Sequence, residues 1–169
     1  MDFSYESAVI PATGGTGYTK MSFSYDWYQT LGRSTIHSRF QFGFADQTLP
    51  ITEQFSLGGQ ESFFGLREDN SRGRQLLVGS LEYRYHSPFK VFFETHFFAR
   101  YDLGSIWPKS EAVRLADLRH GIGAGVAFET PIGPVQFSLG QSFFFRKEFF
   151  DSPISRGPLL GYFSIGFAF

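Results

Sequence analysis

A chain of 169 residues is long enough for one domain with a full core, and its net charge of −1 excludes a broad electrostatic attraction to nucleic acid. The absence of cysteine excludes disulfides, zinc–thiolate sites and thiol nucleophiles. No run of eighteen apolar residues exists, which excludes a membrane-spanning helix, yet a fifth of the chain is aromatic and 23 residues are phenylalanine, a load that has to be placed somewhere.

In chain order, MDFSYESAV has neither the basic nor the apolar region of a signal peptide. Beyond it, large apolar residues recur at every second position, which predicts strands rather than helices. Eight are expected, at 2–11, 17–29, 33–46, 74–86, 90–103, 119–130, 134–146 and 159–169. Their faces separate. In 17–29, Met21, Phe23, Tyr25 and Trp27 oppose Lys20, Ser22, Ser24 and Asp26. In 33–46, Ile36, Phe40, Phe42 and Phe44 oppose His37, Arg39, Gln41 and Gly43. Leu77, Leu81, Tyr83 and Tyr85 oppose Ser80, Glu82, Arg84 and His86. Val91, Phe93, Phe97 and Tyr101 oppose Glu94, His96, Arg100 and Asp102. In 119–130, Ile122, Ala124, Val126 and Phe128 oppose Gly121, Gly123, Gly125 and Glu129. The residues near Ser110–Leu118 read as a turn within a loop.

The connections alternate in length. TLGR (Thr30–Arg33), SPFK (Ser87–Lys90) and TPIG (Thr130–Gly133) are tight, whereas 46–73, 104–118 and 146–158 are long. The Gly-rich PATGGTG (Pro11–Gly17) belongs with the long side. Short turns at one end and long loops at the other are the habit of outer-membrane barrels. The aromatic load agrees. An eight-stranded barrel is barely wide enough for its own side chains, and this many rings inside would overpack it. The glycine row of 119–130 makes little sense as a solvated face but suits an inner wall that another segment approaches closely. The expected fold is therefore all-β, an antiparallel transmembrane β-barrel of eight strands with its aromatics toward lipid. A mean hydropathy of −0.14 fits, because the two faces cancel.

The inward charges, among them Lys20, Asp26, Arg39, Glu82, Arg84, Glu94, Arg100, Asp102 and Glu129, nearly balance in sign and are expected to pair in a lumen network. Arg100 and Asp102 share a face and are positioned to meet Arg67, Glu68 or Asp69 from the long loop. The four histidines lack metal-ligand spacing, no GxSxG motif is present, and GGTG precedes no helix. No enzyme activity, metal or cofactor is expected.

The stretch FSLGGQESFFGLREDNSRGRQLLVGSLEYRYHSP (Phe55–Pro88) resembles the signature loop and following strand of the BamA/TamA/FhaC outer-membrane superfamily, the bacterial surface antigens. The matching pieces are Leu57, Gly58 and Gly59, the tip at Phe64 and Gly65, Gly73, and Glu82–Arg84. Tyr101–Trp107 and Gly121–Gly140 fit the same pattern. The family barrel has sixteen strands, and its signature loop follows the eleventh. Counting from the loop, this chain is similar to strands nine to sixteen, as a single domain of residues 1–169 with an inward loop at 46–73. In the family an Arg before the loop Gly docks on a strand bearing Asp-x-Gly. Asp102-Leu103-Gly104 matches that element, but Phe64 stands where the Arg is expected, and Arg67 follows three residues later. The resemblance implies a bacterial outer-membrane module for protein insertion or translocation. Looser loops of this kind resemble barrels attached to patatin-like phospholipases, which implies anchoring or export of an attached domain. The alternating Phe163, Ile165, Phe167 and Phe169 then read as a C-terminal insertion signal for the barrel assembly machinery. The implied partners are that machinery and the lipid bilayer, with no nucleic acid. The long loop does not fit inside eight strands, so two copies are expected to pair edge to edge as a homodimer of eight plus eight, or else the loop lies outside. A small β-barrel binding an apolar ligand is the alternative reading.

Overall fold

A computed structural model describes residues 17–89, 92–145 and 154–166, and the backbone alone of 2–8. Eight long strands form one antiparallel sheet in which each pairs with its neighbours along the chain. They are β1 (Asp2–Ala8), β2 (Tyr18–Leu31), β3 (Ser34–Ala45), then β6 (Gln75–His86), β7 (Glu94–Trp107), β8 (Arg119–Thr130), β9 (Gly133–Phe145) and β10 (Ile154–Ile165). Between β3 and β6 a small second ladder, β4 (Phe55–Leu57) with β5 (Ser71–Gly73), forms the stem of the long loop. Residues 110–117 make two single 3₁₀ turns within a loop, as expected.

The sheet is not closed. β1 and β10 are its two margins, and among the described residues neither pairs with the other. An eight-stranded barrel closed on itself, expected from the sequence, is therefore not formed. The loop gives the physical reason: it occupies the face that closure would turn inward, and an eight-strand interior has no room for it.

Two strand boundaries also differ. The strand expected at 90–103 runs from Glu94 to Trp107, because Ser105, Ile106 and Trp107 continue the ladder opposite Leu77, Leu76 and Gln75. Gly104 is not a break. It is a close approach, since a Cβ there would lie 2.4 Å from the Leu77 carbonyl oxygen. The last strand begins at Ile154 rather than 159, with a bulge between Arg156 and Leu159. Residues 9–16, 90–91, 146–153 and 167–169 lie outside the described residues, and with them most of PATGGTG, Val91, Phe167 and Phe169.

The two faces divide as the alternation predicts. Trp27, Phe40, Phe42, Leu81, Tyr83, Phe97, Leu139 and Phe163 are exposed on one side. On the other side the loop packs down, and the buried core lies between loop and sheet. Leu57, Phe63 and Leu66 of the loop meet Val78 of β6, flanked by Leu76 and Ile106. Burying each such side chain is worth roughly 1.5–3 kcal/mol, and this is what holds a loop rich in polar residues against the wall.

Candidate functional site: the seat of the long loop

The loop turns back on itself where only glycine fits. Gly58 has φ +133° and a Cβ there would meet the Arg67 carbonyl oxygen at 2.1 Å. At the tip, Gly65 has φ +78° and a Cβ would lie 2.1 Å from the Ser142 nitrogen of β9. The LGG and Phe64-Gly65 motifs are thus the two points where backbone presses on backbone.

Beside Gly65, the ring of Phe64 enters the glycine row. A methyl on Gly123 would lie 2.3 Å from its Cδ1, and one on Gly140 would lie 2.5 Å away. A methyl on Gly121 would meet the Phe64 carbonyl oxygen at 2.4 Å. Missing side chains on β8 and β9 therefore make the slot into which the ring fits. Phe64 also meets Tyr162 edge-on at 5.4 Å and Phe98 at 6.4 Å between ring centroids.

Polar groups fix the tip in register. The Phe64 N–H donates to Asp102 Oδ2 at 2.7 Å, and Gly65 N–H donates to the Tyr162 hydroxyl at 2.9 Å. Tyr162 in turn donates to the Leu66 carbonyl at 2.8 Å. Asp102 is fully buried, and its other oxygen accepts from Arg100 Nε at 2.8 Å. The Arg100 guanidinium spends its remaining donors on the loop and wall: the carbonyls of Gln60 at 2.9 Å, Glu61 at 3.3 Å and Ser62 at 3.2 Å, and the Ser80 hydroxyl at 3.2 Å. It also lies 5.2 Å from the centre of the Phe64 ring. A buried ion pair is stable only when its spare donors and acceptors are met, and here they are.

A second cluster continues the network toward the short turns. Asp26 accepts from Arg39 Nε at 3.1 Å and bonds His37 at 2.7 Å, while Arg39 Nη1 donates to the Glu61 carbonyl at 2.9 Å. Glu82 is buried and pairs with Arg84, and His96 meets Glu129 at 2.9 Å. Glu94 opens β7 opposite Glu129, six residues from Arg100.

Arg67 is not among these groups. The sequence suggests that it docks on the Arg100–Asp102 face, but the chain turns outward after Leu66 and leaves Arg67 exposed, its backbone packed on Gly58. The cation beside Asp102 comes instead from its own strand, through Arg100, while Phe64 supplies an N–H and a ring. Tyr162 was not singled out from the sequence. The signal was there: with Phe163 and Ile165 outward, a phenol at 162 has to face the glycine row. Phe163 and Ile165 are both exposed on the opposite face. Among the described residues no group of three or more His, Asp or Glu is placed to hold a metal ion.

The described residues thus form an open antiparallel sheet with one exposed apolar face and an opposite polar face covered by an in-folded loop. Residues 1–169 match the model of the Omp85 superfamily domain, and the chain belongs to the Omp85 superfamily. Proteins of this superfamily reside in the outer membranes of Gram-negative bacteria or of organelles, and at the coarse level the family serves protein insertion and translocation. No curated protein matches the chain.

Proposed function

We propose that the chain builds part of the wall of a bacterial outer-membrane barrel that inserts or translocates proteins, or that anchors and exports an attached domain. The observation that carries this reading is the seated loop: a segment with no room inside eight strands is clamped to the polar face by Asp102, Arg100 and Tyr162, so the polar face borders a lumen larger than one such sheet encloses. The opposite face is apolar and exposed, which suits hydrocarbon. In that setting the free margins of β1 and β10 need partners, because lipid cannot hydrogen-bond a backbone. A second copy supplies them: with eight strands in each sheet, β10 of one copy runs antiparallel to β1 of the other at both seams, closing eight plus eight. Insertion of the chain itself by the barrel assembly machinery, through Phe163, Ile165, Phe167 and Phe169, belongs to the same proposal.

The test is refolding into detergent and bilayers. The chain should require detergent, migrate differently on SDS gels with and without heating, and show quenching of Trp27 by brominated lipid chains. A mass of two copies in detergent supports the paired wall. A monodisperse chain in plain buffer sinks the membrane reading, and a strict monomer with a protease-protected loop sinks the pairing. The alternative of a small barrel around an apolar ligand fits less well, since a cavity of about 1450 Å³ is bordered by Arg84, His86, His96 and Glu129.

A further inference from the structure

On strands β2, β3 and β6–β10, the charged side chains from Lys20 to Glu129 all lie on the polar face, following the register of the ladder. Arg156 of β10 breaks the rule. It pairs in register with Phe143, and Phe143 pairs with His120. His120 in turn shares the outer row with Ile122 and is the one histidine of these strands that faces outward. Among the described residues, the one cation and the one imidazole on the apolar face therefore stand in the same cross-strand row, with an aromatic ring between them.

The placement is built rather than incidental. Residue parity along β10 puts Tyr162 and Leu160 inward, so an uninterrupted strand would put Arg156 inward as well. The bulge between Arg156 and Leu159 shifts the register and turns Arg156 to the outside. Gln141 pins that bulge by donating to the Gly157 carbonyl at 2.8 Å. His120 is equally fixed. Its ring stacks on Phe143 at 5.0 Å with 9° between planes, and its Nδ1 lies 2.6 Å from the Tyr101 hydroxyl. The other ring nitrogen, Nε2, has no partner among the described residues. Arg156 is exposed and has no ion-pair partner among the described residues.

The row lies at the long-loop end, one residue inside the end of β8 and two inside the ends of β9 and β10, or about 3–7 Å along each strand. That depth corresponds to the boundary between hydrocarbon and headgroups, where an arginine on a barrel's outer face costs little and its head reaches the polar layer. The planar guanidinium matches phosphate oxygens with two parallel hydrogen bonds.

We propose that Arg156 and His120 form a seat for the phosphate of an anionic lipid headgroup in the leaflet at the long-loop end, with Phe143 against the lipid between them. This rests on the outer face meeting lipid. The full chain is refolded into dodecyl maltoside micelles, offered phosphatidylglycerol, phosphatidylcholine or inorganic phosphate, and examined by native mass spectrometry, with Trp27 quenching by brominated lipid recorded in parallel. Retention of phosphatidylglycerol over phosphatidylcholine is expected, falling about fivefold in Arg156→Gln, the factor typical of one cation at a membrane surface. It should fall also in His120→Phe, fall less in Arg156→Lys than in Arg156→Gln because lysine keeps the charge but not the two-bond fork, and be unchanged in Arg119→Gln, an inward cation of the same rim. Heat-modifiable migration shows that each variant is folded. Equal retention by Arg156→Gln, no preference for the anionic lipid, or displacement by millimolar inorganic phosphate with equal effect on both lipids overturns the seat while Trp27 quenching leaves the membrane reading standing. Loss of Trp27 quenching in the parent chain overturns both.

Discussion

The backbone N–H of Phe64 donates to the carboxylate of Asp102 at 2.7 Å, across 38 residues of sequence and at a point with no solvent access on the Asp102 side. The same carboxylate balances Arg100, which holds three loop carbonyls. Asp102→Ala therefore removes an acceptor and leaves a buried cation unpaired. A loss of about 3–5 kcal/mol is expected, the usual cost of breaking a buried pair by deleting one partner. It should appear in urea unfolding in detergent, with new protease cleavage confined to the 46–73 loop. Asp102→Asn, which keeps one acceptor, should cost less.

The glycine slot gives a steric test. Gly121→Ala places a methyl against the Phe64 carbonyl, a backbone atom that cannot swing aside, and should lower stability by about 1–3 kcal/mol while exposing the loop to protease. Gly79→Ala is the control. Its Cβ would meet nothing closer than 3.9 Å, so the loop should remain protected.

Tyr162→Phe keeps the ring beside Phe64 but deletes a hydroxyl that both accepts from Gly65 and donates to Leu66. The Gly65 N–H is left without a partner, at a cost of about 1–3 kcal/mol, while the Leu66 carbonyl keeps the Gly59 N–H at 3.0 Å. Hydrogen exchange at Gly65 should accelerate, and amides in the 119–130 strand should not.

Acid should loosen the loop at its ends. Asp46 is held below the usual aspartate range chiefly by the Thr48 hydroxyl, with help from the Thr19 and Thr48 N–H groups, and Asp69 chiefly by Arg72. A carboxyl depressed in the folded state contributes stability that is present above its unfolded pKa of about 4 and lost as pH falls through the lower folded value. Radical footprinting of 46–73 should be flat from pH 8 to 5 and rise only below about pH 4. A rise near pH 6 would assign the loosening to histidine instead.

The strands were legible because a period of two survives any tertiary context, and the glycine row announced a close neighbour because Gly121, Gly123 and Gly125 leave nothing else to pack. Which segment fills the row was not legible, because nothing in Phe64-Gly65 marks it as the neighbour of Gly121, Gly123 and Gly140. The source of the cation was not legible: Arg67 and Arg100 are equivalent as letters, and only the outward turn after Leu66 separates them. Nor was the β10 bulge, since Arg156–Leu159 carries no alternation to mark a register shift and Pro158 reads as the end of a loop. The failure of self-closure followed from volume, a property of the assembled loop rather than of any residue.

Tyr162 ties the margin strand β10 to a loop that is also hydrogen-bonded to β7 and β3, three and five strands away. Peeling β10 from β9 would drag on Leu66 and through it on the clamp at Arg100, so a gap at that seam and release of the loop would occur as one cooperative event. A crosslink from the loop to β7 should therefore stiffen a border it never touches.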